Sequence, residues 1–293
     1  MKPLLTVVFF LFTFSGMAQA PYNFYHLSLD KGLSDARVTD IVQDKYGFMW
    51  FGTPNGLNRY DGYSIKTFYA GQHSGLPSNT IVALYTSRKG ELWVGTATGA
   101  VRYDFARERF LHFDTSYKEA AEMAKVQISD FEEDKAGNIY AACFSGIYRF
   151  DISKQKWENI NRWFQPEGKL RRVRRLAFFS DSVLYGATSG NIPLFKIDLH
   201  RKKLDSIMIT YHDTCCPNMY GIEKLNEREL LGGTLSYGAV RINTETKQSV
   251  ALPGVLGESE SIRYNTVYDI LKDSRGRIWL ASYYHRLAEY LPY

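Results

Sequence analysis

The segment DKYGFMWFGTPNGLNRYD, from Asp44 to Asp61, recurs as SRKGELWVGTATGAVRYD from Ser87 to Asp104. Fainter copies follow, with an aromatic or apolar marker at Trp50, Trp93, Tyr140, Tyr185, Leu231 and Trp279, 43 to 48 residues apart. A unit of that length, made of short strand-like runs between glycine turns, cannot bury its apolar face alone and must stack on its neighbours. It is the signature of a β-propeller blade. The chain is therefore expected to be all-β: a propeller of four-stranded antiparallel blades with six repeats visible.

The first copy shows how a blade is written. Val38 to Gln43, Phe48 to Thr53, Leu57 to Tyr60 and Ser64 to Tyr69 are runs of strand length, rich in Val, Ile, Tyr, Phe and Trp. Asp-x-x-Gly and Asn-Gly separate them, because glycine takes the positive φ that tight hairpins require. The marker aromatic is expected to point between blades as packing. The Gly-Thr pairs Gly52-Thr53, Gly95-Thr96 and Gly233-Thr234 are expected to let the next blade approach. Asn23 to Val38 aligns with Ile65 to Ile81, a fourth strand plus the connection into the next blade. An outer N-terminal strand should thus close the ring, while the sixth copy ends on its third strand at Tyr290. Either six blades close, or part of a larger ring is missing.

Residues 1–18 read as a secretory signal peptide: Lys2, an apolar run from Leu4 to Phe14, then small residues, with cleavage after Ala18 or Ala20. Residues 21–293 read as a single propeller domain, since no linker or low-complexity tract interrupts the repeat. Export makes nucleic acid an improbable partner for a chain of net charge +5. Its basic cluster, Lys169-Leu170-Arg171-Arg172-Val173-Arg174-Arg175, reads as a solvated loop and strand start without interleaved aromatics. An acidic ligand such as a uronic or sulfated sugar is the functional alternative for it. Cys143 reads as buried and small, and Cys215-Cys216 as a vicinal pair whose redox state stays open.

Motifs for chemistry are missing. His26, His73, His112, His200, His212 and His285 show no metal-ligand spacing, and no nucleophile elbow, phosphate loop or dinucleotide fingerprint occurs. No metal, cofactor or catalytic residue is assigned. Glu132-Glu133 reads as strand-end solvation, and Asp-x-x-Gly-x-x-Trp as a carboxylate pinning a hairpin through local N–H groups.

The pattern Gly32-Leu33-Ser34, Val38, Ile41, Asp44, Gly47, Trp50, Gly52-Thr53, Gly56-Leu57 and Arg59-Tyr60-Asp61 resembles the two-component regulator propeller repeat. Copies two, three and six share it, whereas copies four and five lack the Asp and Trp. The resemblance implies the extracytoplasmic sensor region of a hybrid two-component system or sensor histidine kinase. Such regions usually have seven blades, and many answer to oligosaccharides. The chain departs from that plan after Tyr293, which points to a truncated sensor. On this reading it is periplasmic, with a parent anchored in the inner membrane. It would bind an oligosaccharide or other small ligand and has no kinase activity of its own. A histidine kinase would be its missing C-terminal part or partner, and exposed edges would favour a homodimer. Ligand candidates are the residues where the copies diverge in the loops between second and third strands: Asn55, Asn191, Tyr237, Tyr283, Tyr284 and His285. Two alternatives remain open: a propeller enzyme resembling the streptogramin lyases, and a structural protein-interaction propeller.

Overall fold

The computed structural model describes residues 26–290 apart from positions 72, 165–169, 191, 212–213, 216–217, 236–237, 253–265, 274 and 283–285. Five four-stranded sheets and one three-stranded sheet follow one another along the chain, each a simple antiparallel meander. Blade 1 is built from Asp40–Gln43, Met49–Thr53, Gly56–Tyr60 and Ile65–Phe68, counted outward from the ring centre. Blades 2 to 5 run over residues 81–111, 128–159, 173–207 and 219–251, and blade 6 comprises Val267–Lys272, Ile278–Ser282 and Arg286–Tyr290. Each innermost strand packs beside the innermost strand of the next blade. A helical turn, Lys118–Met123, precedes blade 3 and buries Ala120 and Met123.

The apolar clusters lie between blades. Trp50 is fully buried with Leu84, Leu92 and Val94 of blade 2, and Trp93 likewise with Phe131 and Ile139 of blade 3. The marker aromatic is packing, as its recurrence implies. A tryptophan buries roughly 150–250 Å²; Trp50 and Trp93 bring that area to the first two junctions, and buried Tyr140, Tyr185 and Leu231 fill the next three. The Gly-Thr glycines serve the same contact: a Cβ on Gly95 would stand 2.9 Å from Ile128 of the next blade. The threonines have a separate task. Thr53 donates its hydroxyl to the Gly56 carbonyl at 2.8 Å and accepts the Asn55 N–H at 3.1 Å, clamping the second turn of the blade. Thr96 repeats the clamp, and in blade 3 the buried Cys143 takes the place of the threonine, with Sγ 3.2 Å from the Gly146 carbonyl.

At the opposite end, the repeated aspartate pins the first turn. Asp44 accepts the N–H groups of Tyr46 and Phe48 on one oxygen, while its other oxygen accepts the Trp50 indole N–H at 2.7 Å. Gly47 completes that turn at φ 91°. Asp134 does the same for Asn138 and the Tyr140 hydroxyl, and Asp273 for Arg275, Arg277 and the Trp279 indole. Burial alone would raise the Asp273 carboxyl, but the bonds from Arg277 and Trp279 outweigh it and hold the pKa at about 2. Blade 2 has Ser87 here. Its hydroxyl reaches the Glu91 N–H, and the buried Trp93 Nε1 finds no acceptor among the described residues.

Residues 26–39 correct one expectation in part. They form the short 3-10 turn Leu29–Lys31 and irregular chain, with no strand among the described residues. The Gly32 carbonyl accepts from Thr67, the Ser34 N–H donates to Asn58, and Leu33 is buried. Ser74 and Leu76 dock on blade 2 in the same manner, through the Phe110 N–H. The segment is therefore the connection into blade 1. Asn23 to Tyr25 of the expected strand lie outside the described residues.

The junction between blades 6 and 1 differs from the others. Leu84, Phe131, Leu176, Ile222 and Ile270 occupy one position of the innermost strand and are buried against the preceding blade. Ile41, their counterpart in blade 1, is 51% exposed, and on blade 6 Leu271 is 60% exposed. Asp269, Ile270, Leu271, Trp279 and Ala281 line an apolar recess of about 410 Å³ on that face.

Candidate functional site

The innermost strands carry a bulge that decides what faces the ring centre. In blades 2 to 6 the register with the second strand skips one residue: Val82, Ser129, Arg174, Tyr220 and Tyr268. A bulge leaves its extra residue unpaired and re-aims the side chains on either side of it. Two layers result. The bulge residues ring the mouth, on the face where the second strands end. The residues that follow them, Asp40 (after Thr39 in blade 1), Ala83, Asp130, Arg175, Gly221 and Asp269, line the channel beneath.

The channel layer is a charged network. Asp40 accepts the Leu84 N–H of the next blade at 2.7 Å, and Asp130 accepts the Leu176 N–H at 2.7 Å. Arg175 reaches across the glycine of blade 5, pairing with Asp269 at 3.2 Å and donating to the Ser129 carbonyl at 3.0 Å. One cation thus ties blades 3, 4 and 6 together. Burial pushes the Asp130 carboxyl up to about 7 against the pull of Arg175, and raises Asp40 as well. Glu132, one layer further, is pushed up to about 8 by burial and by Asp130, and burial also raises Glu223. Glu132 is therefore a channel group rather than strand-end solvation. Its neighbour Glu133 is buried and accepts the Arg88 N–H at 2.7 Å.

The mouth holds the rest of the basic cluster. Arg175 turns inward, whereas Arg171 and Arg172 are exposed and Arg174 is half-buried. Aromatics do accompany them, from other blades: the Arg172 guanidinium lies 5.2 Å from the Phe144 ring centre, and that of Arg174 lies 5.3 Å from Tyr220. Tyr220 in turn meets Tyr268 edge-on at 5.7 Å. The divergence of the loops between second and third strands marks Phe144, whereas no local signal marks Tyr220 as the partner of Arg174, because the bulges of separate blades bring those two together.

Of the loop candidates, Asn55 is described. It is exposed on this same face, and its side-chain amide donates to the Ser34 carbonyl at 3.3 Å, holding the turn of blade 1 on the N-terminal segment. Asn191, Tyr237, Tyr283, Tyr284 and His285 lie outside the described residues, as do the side chains of Cys215 and Cys216. Among the described residues no group of three or more His, Cys, Asp or Glu could hold a metal ion. His73 and His112, distant in sequence, line one open cavity of about 660 Å³ with Arg109 and Phe110.

Known proteins agree with the repeat and the ring. The family described as "Two component regulator propeller" matches residues 32–55, 75–98 and 261–284. Three of the repeats are thus similar to the two-component regulator propeller repeat. A curated relative, histidine kinase P4 of Formosa agariphila, is 38% identical over 65 residues, 22% of this chain and 5% of the kinase. In fold, the chain is similar to the extracellular domain of the hybrid two-component system BT3049 of B. thetaiotaomicron. The TM-score is 0.76 at 21% identity, over 92% of this chain and 35% of that one. The virginiamycin B lyase of Staphylococcus aureus has a similar fold, with TM-score 0.61 at 14% identity, over 85% of this chain and 82% of that one. The chain spans well under half the length of the two signalling proteins.

Proposed function

We propose that this chain is a ligand-sensing propeller of a two-component system, exported to the periplasm, that binds an oligosaccharide or another small ligand. It carries out no catalysis, and binding is relayed to a histidine kinase, in the same polypeptide or in a partner. The regulator repeats and the fold likeness to an extracellular domain of such a system support the reading. One observation carries it. The blades repeat the same clamp at their turn ends, yet the side chain at the mouth position varies around the ring, from Thr39, Val82 and Ser129 to Arg174 and the tyrosines Tyr220 and Tyr268. A scaffold repeats what it needs for packing and varies what it uses for recognition. The mouth mixes hydroxyl, aromatic and cationic groups, the polar and aromatic types a small-ligand site uses.

A thermal-shift screen of the purified chain against neutral and acidic oligosaccharides tests the proposal. Ligand that prefers the native state raises the melting temperature with concentration. A cooperative melt that no glycan moves would sink the small-ligand reading and favour a protein partner. Turnover of a cyclic depsipeptide antibiotic would instead favour the lyase alternative. Mass spectrometry of the secreted chain checks export, with cleavage expected after Ala18.

A further inference from the structure

Five residues at the mouth, Phe144, Arg172, Arg174, Tyr220 and Tyr268, combine guanidinium groups with aromatic rings from four blades. Arg171, Arg172 and Arg174 form no ion pair among the described residues, although Arg59, Arg88, Arg102, Arg149, Arg162, Arg175 and Arg241 all do. Two of these unpaired guanidinium groups, those of Arg172 and Arg174, lie against aromatic rings that still face solvent: Phe144 is 56% exposed, and Tyr268, next to Tyr220, is 44% exposed. Arg174 is also held in place, its Nε donating to the Ser189 hydroxyl at 3.0 Å.

Arg172 is fixed more firmly still. Among the described residues five non-glycine positions have positive φ, and Glu108, Gln155, Lys202 and Lys247 occupy the same turn between third and fourth strands in blades 2 to 5. Arg172, at φ 54°, is the one outside that turn. Its N–H donates to the Phe144 carbonyl of blade 3 at 2.8 Å, and its carbonyl accepts the Ser189 N–H at 3.1 Å. A left-handed arginine bonded on both sides costs conformational energy that packing does not return, since its side chain is exposed. Such strain is retained where it aims a side chain.

We infer that Phe144, Arg172, Arg174, Tyr220 and Tyr268 form a subsite for an acidic oligosaccharide, one whose sugar rings carry carboxylate or sulfate groups. The inference rests on the sensor reading above and names its ligand class. Guanidinium groups bind carboxylate and sulfate oxygens through parallel N–H donors, and aromatic faces take the apolar faces of pyranose rings. From blade 3 to blade 6 the two arginines stand between Phe144 on one side and Tyr220 and Tyr268 on the other, so an extended ligand with apolar ring faces flanking anionic substituents fits them. The channel beneath is lined with carboxyl groups: Asp40, Asp130 and Asp269 surround Arg175, and Glu132 and Glu223 stand one layer further. An anionic glycan is accordingly held across the rim and does not descend.

The test is isothermal titration of the purified chain with tetragalacturonate, a sulfated chondroitin tetrasaccharide, neutral maltotetraose and inorganic polyphosphate. The same titrations are run on Arg172→Ala, Arg174→Ala and Tyr220→Ala, with Arg277→Ala as a control on the far face. At least one acidic glycan should bind, weaken at least tenfold in each mouth variant, and keep its affinity in the control. Binding should also weaken on the order of tenfold between low and high salt, as screened charges require. Neutral glycan binding that the arginine variants leave unchanged overturns this inference and leaves the sensor reading standing. Polyphosphate bound as well as the glycans, and unaffected by Tyr220→Ala, reduces the patch to unspecific charge and overturns it too. If no glycan of either kind binds the correctly folded chain, both readings fall.

Discussion

The two ends of the innermost strands follow opposite rules. At the turn end, Asp44, Asp134 and Asp273 do the same thing in three blades, bonding the turn backbone with one oxygen and the marker aromatic with the other. At the mouth end, Thr39, Val82, Ser129, Arg174, Tyr220 and Tyr268 share a position but range from hydroxyl to aliphatic, cationic and aromatic side chains. In these three blades the turn end satisfies a buried or half-buried indole or phenol, so the same carboxylate recurs. The mouth faces solvent, where a substitution costs little stability, and each blade can differ. Stability and recognition are thereby placed at separate ends of one strand, and mutations at the two ends should act on different measurements.

The largest effect is expected from Trp50→Ala. Emptying a buried aromatic site costs about 3–5 kcal/mol, enough to abolish a cooperative urea transition, and Asp44 would lose its indole partner. Asp44→Ala should come next, at about 2–3 kcal/mol, since a buried charge-assisted bond and two turn bonds go together. Both variants should leave glycan affinity unchanged in whatever fraction remains folded. A binding loss larger than the folded fraction explains would show that the two ends are coupled.

The pH dependence comes from the channel between the two ends. Asp130 and Glu132 hold their carboxyl protons to about 7 and about 8 when folded, well above ordinary carboxyls. The native state therefore binds more protons than the unfolded chain between about pH 4 and pH 8, and stability falls as pH rises through that window. Melting temperatures measured from pH 5 to pH 8.5 should decline, and Glu132→Gln should flatten the slope. Asp130→Asn should flatten it as well, because its amide oxygen still accepts the Leu176 N–H. A melting temperature that climbs over the same range would contradict this account of the channel.

Ser87→Asp sharpens the comparison from the other side. It offers the buried Trp93 indole the acceptor that Trp50 has, and should stabilise the protein by about 1 kcal/mol in urea titration. The smallest stability effect belongs to the mouth: Arg174→Ala should move unfolding by about 0.5 kcal/mol or less, as surface substitutions usually do. Its expected loss is in ligand binding instead.

Much of the scaffold could be read in advance because it rests on local chemistry. Asp-x-x-Gly turns, the Gly-Thr pairs and the marker at Trp50 and Trp93 each concern residues a few positions apart or one strand away. The second function of Asp44, accepting the indole six residues on, was less visible. Turn chemistry alone accounted for the carboxylate. The channel and mouth were not legible. A one-residue bulge turns Arg174 toward Tyr220 and Arg175 toward Asp269, although the two arginines are adjacent in sequence. Reading the run from Lys169 to Arg175 as one solvated cluster fails for that reason. Glu132 was misread in the same way, since whether it faces solvent or channel depends on register.

By itself, the sequence determined the blade: its length, its four strands, its turn residues and the aromatic that must be buried between copies. These follow from hydrogen bonding and burial within about 45 residues, which a repeat displays openly. The tertiary structure alone decided what stands together at the ring centre. Side chains there come from six blades and meet by virtue of bulges and blade angles, and neither leaves a mark on any single repeat. The exposed faces of Ile41 and Leu271 were decided at the same level. Both residues belong to strands that read like every other innermost strand, and only the arrangement of whole blades leaves them uncovered.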